Sequence, residues 1–300
     1  MSGWKLKETE TLRIKLTKEQ EKAIKDLYTK ISQSISSELA RLPSEGVSNS
    51  LRRAYLNRLQ EQINEQLTNL GVSVKGIVTG NMGSVAKSAG LEASAWLRRV
   101  GFPIQGEFSH VPDNVVRSII TGQVYDGDWT LSKAIWSDIA KNQKDINTII
   151  AEGVAQNKTT LEIAQDLEAY VNPSAAKKWD WSKVYPGTNT KVDYNAQRLA
   201  RTLVSHAYQQ AFVAVTKPNP FVTKYRWLAS NSSRVCELCA SRDGVLFDKD
   251  DLPMDHPNGM CTFVAEIPDT MVDIADRIAD WAEGKEDPEL DRFAKFLQNS

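Results

Sequence analysis

Apolar residues at helical spacing run through the first 170 residues, and they constrain the fold more than any other feature of the chain. A first stripe follows Thr17, which forms a capping-box sequence with Gln20, and its members are Ile24, Leu27, Tyr28, Ile31, Ile35 and Leu39. A second stripe, ended by Gly71, comprises Leu51, Tyr55, Leu59, Ile63 and Leu67. Residues 1–76 are therefore predicted to form an antiparallel pair of amphipathic helices.

Residues 77–174 are predicted to form a further helical region. It opens with VTGNMGSVAKSAG, a looser glycine-rich stretch without the Lys-Ser/Thr ending of a phosphate-binding loop. Helices are predicted around residues 114–120 and 132–154, and Thr159 with Glu162 marks the capped start of another. The turn-rich residues 171–190 are expected to join two domains.

The pattern changes to α+β beyond residue 174. Residues 193–215 predict one more helix, and the segments YRWLAS, GVLF and CTFVAEI predict three short strands. A last helix is predicted from a cap at Asp269, with Ile274, Ile278 and Trp281 on one face. We therefore expect a mainly α protein with a small α+β domain over residues 175–268 and an acidic helical tail over residues 269–300.

Charge is segregated along the chain, although the net charge is only −1. Residues 175–234 hold ten Lys or Arg and two acidic residues, whereas residues 265–300 hold four and ten. A basic block indicates either a polyanionic partner or a solvated surface opposite the acidic tail. Arg198 and Arg201 are candidate nucleic-acid contacts among interleaved aromatic residues; the same pattern fits a helix packed on a sheet with solvated arginines.

The sequence shows neither a secretory signal nor an apolar run long enough to span a membrane. We therefore expect synthesis and folding in a cytoplasm, where reducing conditions disfavour disulfides.

All three cysteines lie in one short segment, CELCASRDGVLFDKDDLPMDHPNGMC. Cys236 and Cys239 form a Cys-x-x-Cys pair, and His256 and Cys261 follow at about the 12–20-residue distance typical of a second pair of zinc ligands. A zinc ion held by these four residues would stabilise a subdomain too small to hold itself by burial.

Other interpretations of the segment remain open at this point. The cysteines are also consistent with small buried core residues, with His256 on the surface. A redox pair would require a helix start within a βαβ unit, which is not predicted. Asp255-His256 resembles part of an HNH nuclease site, but no histidine follows His256 to complete it, and the His-x-Glu of zinc deaminases is absent. We therefore expect no enzyme activity.

Three segments in this order, NAQRLARTLVSHAYQQA, KYRWLASNSSRVCELCASRDGVLFD and HPNGMCTF, resemble the phage head morphogenesis family, the minor head proteins similar to protein F of phage Mu. The similarity covers residues 193–265. The family pattern has His-Pro-x-Cys-Arg-Cys, whereas Gly259 and Met260 stand here at the Cys-Arg positions. Leu203 stands where an acidic residue commonly follows Arg-Thr.

The resemblance implies a structural virion protein present in few copies. Its expected partner is the phage portal protein, with scaffold, major capsid protein or phage DNA as further partners, and no membrane. It would act in procapsid assembly and in DNA packaging or delivery, in the host cytoplasm during assembly and then in the phage head. The alternatives are a zinc-supported HNH-like nuclease and a DNA-binding adaptor.

Overall fold

The computed structural model describes residues 5–39, 49–99, 108, 110–125, 130–156, 158–171, 194–230 and 235–299. These residues form a mainly helical protein with one small sheet, as the sequence predicts. The helices are α1 (Lys7–Leu39), α2 (Asn49–Arg99), α3 (Val111–Thr121), α4 (Leu131–Ala155), α5 (Thr160–Val171), α6 (Tyr194–Thr216), α7 (Glu237–Arg242), α8 (Met271–Ala282) and α9 (Pro288–Asn299). The strands are β1 (Lys224–Leu228), β2 (Leu246–Asp248) and β3 (Thr262–Glu266).

Helix α1 begins ten residues before the predicted capping box, so the cap at Thr17 is wrong. The Thr17 hydroxyl instead donates to the carbonyl of Arg13, one turn earlier in the same helix. A distant side chain caps the true start, because Glu92 accepts hydrogen bonds from the backbone N–H and the hydroxyl of Thr9, both at 2.9 Å. Tertiary contact therefore overrides the local signal.

Helix α2 continues through Gly71 and through the glycine-rich stretch, where the sequence predicted an end and a looser region. A Cβ at Gly71 would lie 3.2 Å from Ile139 Cγ1, so this glycine permits close packing of α2 on α4. The buried stripe also continues past it, through Val74, Val78, Met82, Val85 and Ala89. The glycine serves helix packing, and the apolar periodicity beyond it keeps the helix going.

The other predicted helices up to residue 216 are confirmed as α3, α4, α5 and α6. The capping box is also confirmed, since Thr159 N donates to Glu162 Oε2 and Glu162 N donates to Thr159 Oγ1. The predicted connection at residues 171–190 lies outside the described residues except for Val171.

The three predicted strands form an antiparallel sheet with the order β2-β1-β3. Tyr225 lies opposite Phe247 on one side and Ala265 on the other. Tyr225 and Trp227 are fully buried, and the Trp227 ring centroid is 5.1 Å from that of Phe263. The alternation of buried and more exposed residues along β1 follows from one face packing on the core.

The C-terminal residues form two helices, α8 and α9, rather than one. Thr270 caps α8 in a capping box with Asp273, so the predicted cap at Asp269 is off by one residue. Arg277 joins the two helices through Asp287 at 2.7 Å and Glu289 at 2.8 Å. Leu290 and Phe293 are buried, so the acidic C-terminal segment is part of the folded protein.

The chain divides into two compact units. Unit 1 comprises Met1–Thr17, Val78–Asp128 and Arg201–Ser300, and unit 2 comprises Lys18–Ile77 and Trp129–Ala200. Unit 1 contains the sheet and all three cysteines. The division of the chain into residues 1–76, 77–174, 175–268 and 269–300, made from the sequence, remains a prediction. None of the described helices has the length and apolarity needed to cross a membrane.

Candidate metal centre

The Cys-x-x-Cys pair lies at the start of α7. Cys236 is the N-cap residue, and its sulfur accepts a hydrogen bond from the backbone N–H of Cys239 at 3.4 Å. Cys236 is exposed, whereas Cys239, on the first turn of the helix, is buried. This local geometry turns both thiols toward one side of the helix start.

His256 begins a tight turn that leads into β3. The backbone N–H of Gly259 donates to the carbonyl of His256 at 2.9 Å, with Pro257 and Asn258 between them. Asn258 has a positive φ of 70°, which suits the third position of a type II turn after proline. Helix α6 holds the turn from outside, because Thr202 accepts from Asn258 N at 2.8 Å and Arg201 donates to its side chain at 2.6 Å.

Possible ligand atoms, the four predicted ones and that of Asp255, form two overlapping groups. Those of Cys236, Cys239 and His256 lie within 4.8 Å of one another, and so do those of Cys239, Asp255 and Cys261. Cys236 Sγ is 3.2 Å from His256 Nε2. Two ligands of a tetrahedral zinc ion lie about 3.5–3.8 Å apart, given Zn–S and Zn–N bonds of about 2.3 and 2.0 Å. The structure therefore brings Cys236, Cys239 and His256 together at about this spacing, whereas Cys261 groups with Cys239 and Asp255 and does not share one group with the other three predicted ligands.

The tautomer of neutral His256 suits a metal ligand. Its Nδ1 lies 2.9 Å from the carbonyl of Pro257, which only accepts hydrogen bonds, so Nδ1 carries the proton. The lone pair of Nε2 then faces Cys236. A backbone carbonyl that fixes the protonated nitrogen is the usual support of a zinc-bound histidine.

The three thiols have different proton affinities. The hydrogen bond from Cys239 N lowers the pKa of Cys236. Burial raises the pKa of Cys239 and of Cys261, and the Asp255 carboxylate raises both further. The backbone N–H of Ser230 favours the Cys261 thiolate against this effect. The raised pKa values favour neutral thiols at Cys239 and Cys261, so a zinc ion bound there would have to displace their protons.

Two residues of the centre were not predicted as part of it. Asp255, with a side chain 1% exposed, accepts hydrogen bonds from the backbone N–H groups of His256 and Cys261, both at 2.9 Å. Its carboxylate occupies the space that a side chain at Gly259 would need, where the family pattern has a cysteine. The sequence signal for Asp255 was only its position before His256.

Arg13 of α1 is the second unpredicted residue, and it is buried. It donates to the carbonyls of Met260 at 3.3 Å and Cys261 at 3.5 Å, and its guanidinium lies over the Tyr208 ring. Burial lowers its pKa. No sequence signal identifies it, since 248 residues separate it from Cys261.

His206 is part of the support and not a further ligand. Its Nε2 donates to the carbonyl of Asp255 at 3.1 Å, and its Nδ1 accepts from the Tyr125 hydroxyl at 2.8 Å. Burial lowers the pKa of His206, which agrees with a neutral ring. Both ring nitrogens are therefore engaged away from the cysteines.

The candidate nucleic-acid residues Arg198 and Arg201 both lie on α6. Arg198 is exposed, and Arg201 contacts Asn258. Several of the aromatic residues that suggested stacking are buried in the core: Tyr208, Phe212 and Tyr225. Leu203, at the position that is commonly acidic in the family, is also fully buried.

The match to a known family includes all four predicted ligands. Residues 144–263 match the family model described as Phage Mu protein F like protein. The resemblance seen in the sequence is thereby confirmed over a stretch of less than half the chain, from α4 to β3. This match implies a role in phage head morphogenesis as a minor capsid protein. Searches of curated proteins and of solved structures found no significant match.

Proposed function

We propose that the protein is a minor head protein that joins the phage procapsid at the portal vertex, and that a zinc ion stabilises the fold of its C-terminal part. The family match across residues 144–263 carries this proposal. The proposal adds two details to the family role: contact with the portal protein, and an action in DNA packaging or delivery. Scaffold or major capsid protein would be met during assembly in the host cytoplasm.

Mass spectrometry of purified virions and of empty procapsids tests the proposal. We expect peptides of this chain in both particles, in far fewer copies than the major capsid protein. A chain present in the infected cell but missing from both particles would contradict a head role and favour the DNA-binding adaptor.

Zinc at Cys236, Cys239, His256 and Cys261 would act structurally. It would tie together the start of α7, the turn at His256 and the start of β3. Helix α7 has six residues and strand β3 has five. A structural zinc site contributes folding free energy directly. Activation of a substrate is not part of this role.

The partner surface proposed for the portal lies on unit 2. The apolar stripes of α1 and α2 are largely buried within the chain, at Ile24, Tyr28, Leu59, Ile63 and Leu67 among others. Val72 and Trp136 remain 60% and 43% exposed. The Trp136 ring also lies near Gly71, the residue before Val72. These two side chains offer an apolar contact that the helices themselves do not cover.

Co-purification of the full chain with the cognate portal tests this surface. Trp136→Ala is expected to weaken capture, whereas Leu246→Ser, which removes an exposed side chain from unit 1, is expected to leave it unchanged. The full chain is needed because residues 1–17 and 78–128 group with the C-terminal residues in unit 1. Equal capture of wild type and Trp136→Ala would refute the assignment.

No catalysis is part of the proposal. His256 has no second histidine after it in the sequence, and His206 is engaged by Asp255 and Tyr125. Plasmid and single-stranded DNA incubated with the protein and Mg²⁺, Mn²⁺ or Zn²⁺ are expected to stay intact. Cleavage that His256→Ala abolishes would favour the nuclease. DNA binding with a steep salt dependence that falls in Arg198→Ala or Arg201→Ala would favour the adaptor.

A further inference from the structure

Asp255 brings a carboxylate into the centre beside the four predicted ligands. It is almost completely buried, and no Lys or Arg forms an ion pair with it among the described residues. Two hydrogen bonds hold the carboxylate, since Oδ1 accepts from His256 N and Oδ2 accepts from Cys261 N. The buried guanidinium of Arg13 also interacts with it electrostatically, without forming a direct ion pair. A carboxylate is costly to bury, so one that is buried and hydrogen-bonded in this way indicates a structural role.

Both of these N–H groups belong to predicted metal ligands. His256 and Cys261 stand at the two ends of the turn, and the carboxylate bridges them. The bridge fixes the backbone from which both ligand side chains project. Two further contacts hold Asp255 itself, since its carbonyl accepts from His206 and its N–H donates to Gln209.

The turn is shaped around this carboxylate. A Cβ at Gly259 would overlap the Asp255 carboxyl group, so glycine leaves the space that the carboxylate fills. Gly259 does not adopt a positive φ. The requirement for glycine therefore comes from Asp255 and not from backbone conformation.

The carboxylate also lies next to the ligand atoms without replacing them. Oδ1 is 3.8 Å from Cys239 Sγ and 4.0 Å from His256 Nε2, while each oxygen already accepts a backbone hydrogen bond. We propose that Asp255 is the positioning residue of the metal centre, and that it holds the turn of residues 256–260 ready before the metal binds. This inference rests on the proposed zinc site.

Metal titration of the full chain tests the proposal with Co²⁺ and Zn²⁺ as probes. Asp255→Asn keeps the shape of the side chain and one acceptor oxygen but loses the other. We expect its metal affinity to fall about 10–100-fold, the range for lost support of a ligand. The Co²⁺ absorption spectrum should stay that of wild type, because the ligands are unchanged. Asp243→Asn is the control, since Asp243 also accepts a backbone hydrogen bond, from Ala229, away from the centre.

A second measurement needs no variant and covers the case in which Asp255→Asn does not fold. Hydrogen exchange of the metal-free wild type should show protected amides at His256 and Cys261. Rapid exchange there would overturn the proposal. Wild-type affinity in Asp255→Asn, or a changed Co²⁺ spectrum that makes Asp255 a ligand, would also overturn it. If wild type binds neither metal, the zinc site itself fails and this inference fails with it.

Discussion

A single methyl group added at Gly259 is expected to destabilise unit 1 strongly. The Cβ of Gly259→Ala would overlap the Asp255 carboxylate, which cannot rotate away without leaving its two backbone donors. A hydrogen bond to a charged group contributes about 1.5–3 kcal/mol, so losing two costs about 3–6 kcal/mol. Backbone strain adds nothing, because φ at Gly259 is not positive.

The free energy of unfolding, measured by urea titration with pulse proteolysis of the region beyond residue 200, is the assay. Gly80→Ala is the matched control, since a Cβ there meets nothing within 4 Å inside α2. Its replacement should stabilise the helix by about 1 kcal/mol. The same substitution is thus expected to have opposite signs at the two glycines.

A double-variant cycle separates the overlap from other effects. Asp255→Ala removes the group that the new methyl would strike, so adding Gly259→Ala to it should cost much less than in wild type. A Gly259→Ala protein within about 0.5 kcal/mol of wild type would refute the reasoning. So would strict additivity of the two substitutions.

Three further predictions follow from buried and paired charges. Burial raises the pKa of Asp138 to about 6, so the charged form destabilises the folded protein increasingly as the pH rises from about 4 through 6. Asp138→Asn should therefore raise the free energy of unfolding at pH 8 and leave it nearly unchanged at pH 4, in urea titrations at both pH values. The Arg277 hydrogen bond lowers the pKa of Asp287 to about 2. Asp287→Asn should therefore lower the midpoint temperature of thermal unfolding at pH 7. The difference in midpoint between variant and wild type should vanish as the pH falls from about 4 to 2. Arg13→Ala should lower the free energy of unfolding in urea by about 2–4 kcal/mol, because it leaves a cavity and removes the donor to the Met260 carbonyl. Arg13→Met should lower it less, because the methionine side chain fills the volume without a buried charge. Equal effects at both pH values, or a larger cost for Arg13→Met than for Arg13→Ala, would contradict these assignments.

The sequence predicts correctly those helices and strands whose positions depend mainly on neighbouring residues. The three strands, the capping box at Thr159 and the helices from α3 to α6 follow from periodicity and turn residues. The starts and ends of α1 and α2 did not, because Glu92 caps α1 from a distance and Gly71 packs on Ile139. A cap at Thr17 and a stop at Gly71 are plausible in isolation, and tertiary packing decides against both.

The same distinction applies to the candidate site. The spacing of Cys236, Cys239, His256 and Cys261 predicts a ligand set, because metal sites recur at such spacings. Arg13 and Gln209 contact the backbone of this segment from other helices, and sequence spacing holds no information on such contacts. Asp255 is adjacent to His256 in the sequence, but its bridging task appears only when the turn is folded.

Elemental analysis of the full chain, purified without chelator, tests the metal centre most directly. We expect one zinc ion per chain, a lower content in Cys239→Ser, and protease sensitivity of that variant beyond residue 200. A wild-type protein that is free of metal, folded throughout and unaffected by chelator would contradict the centre. Cys239 and Cys261 would then be side chains of the folded core, and Cys236 would be an exposed thiol at the start of α7.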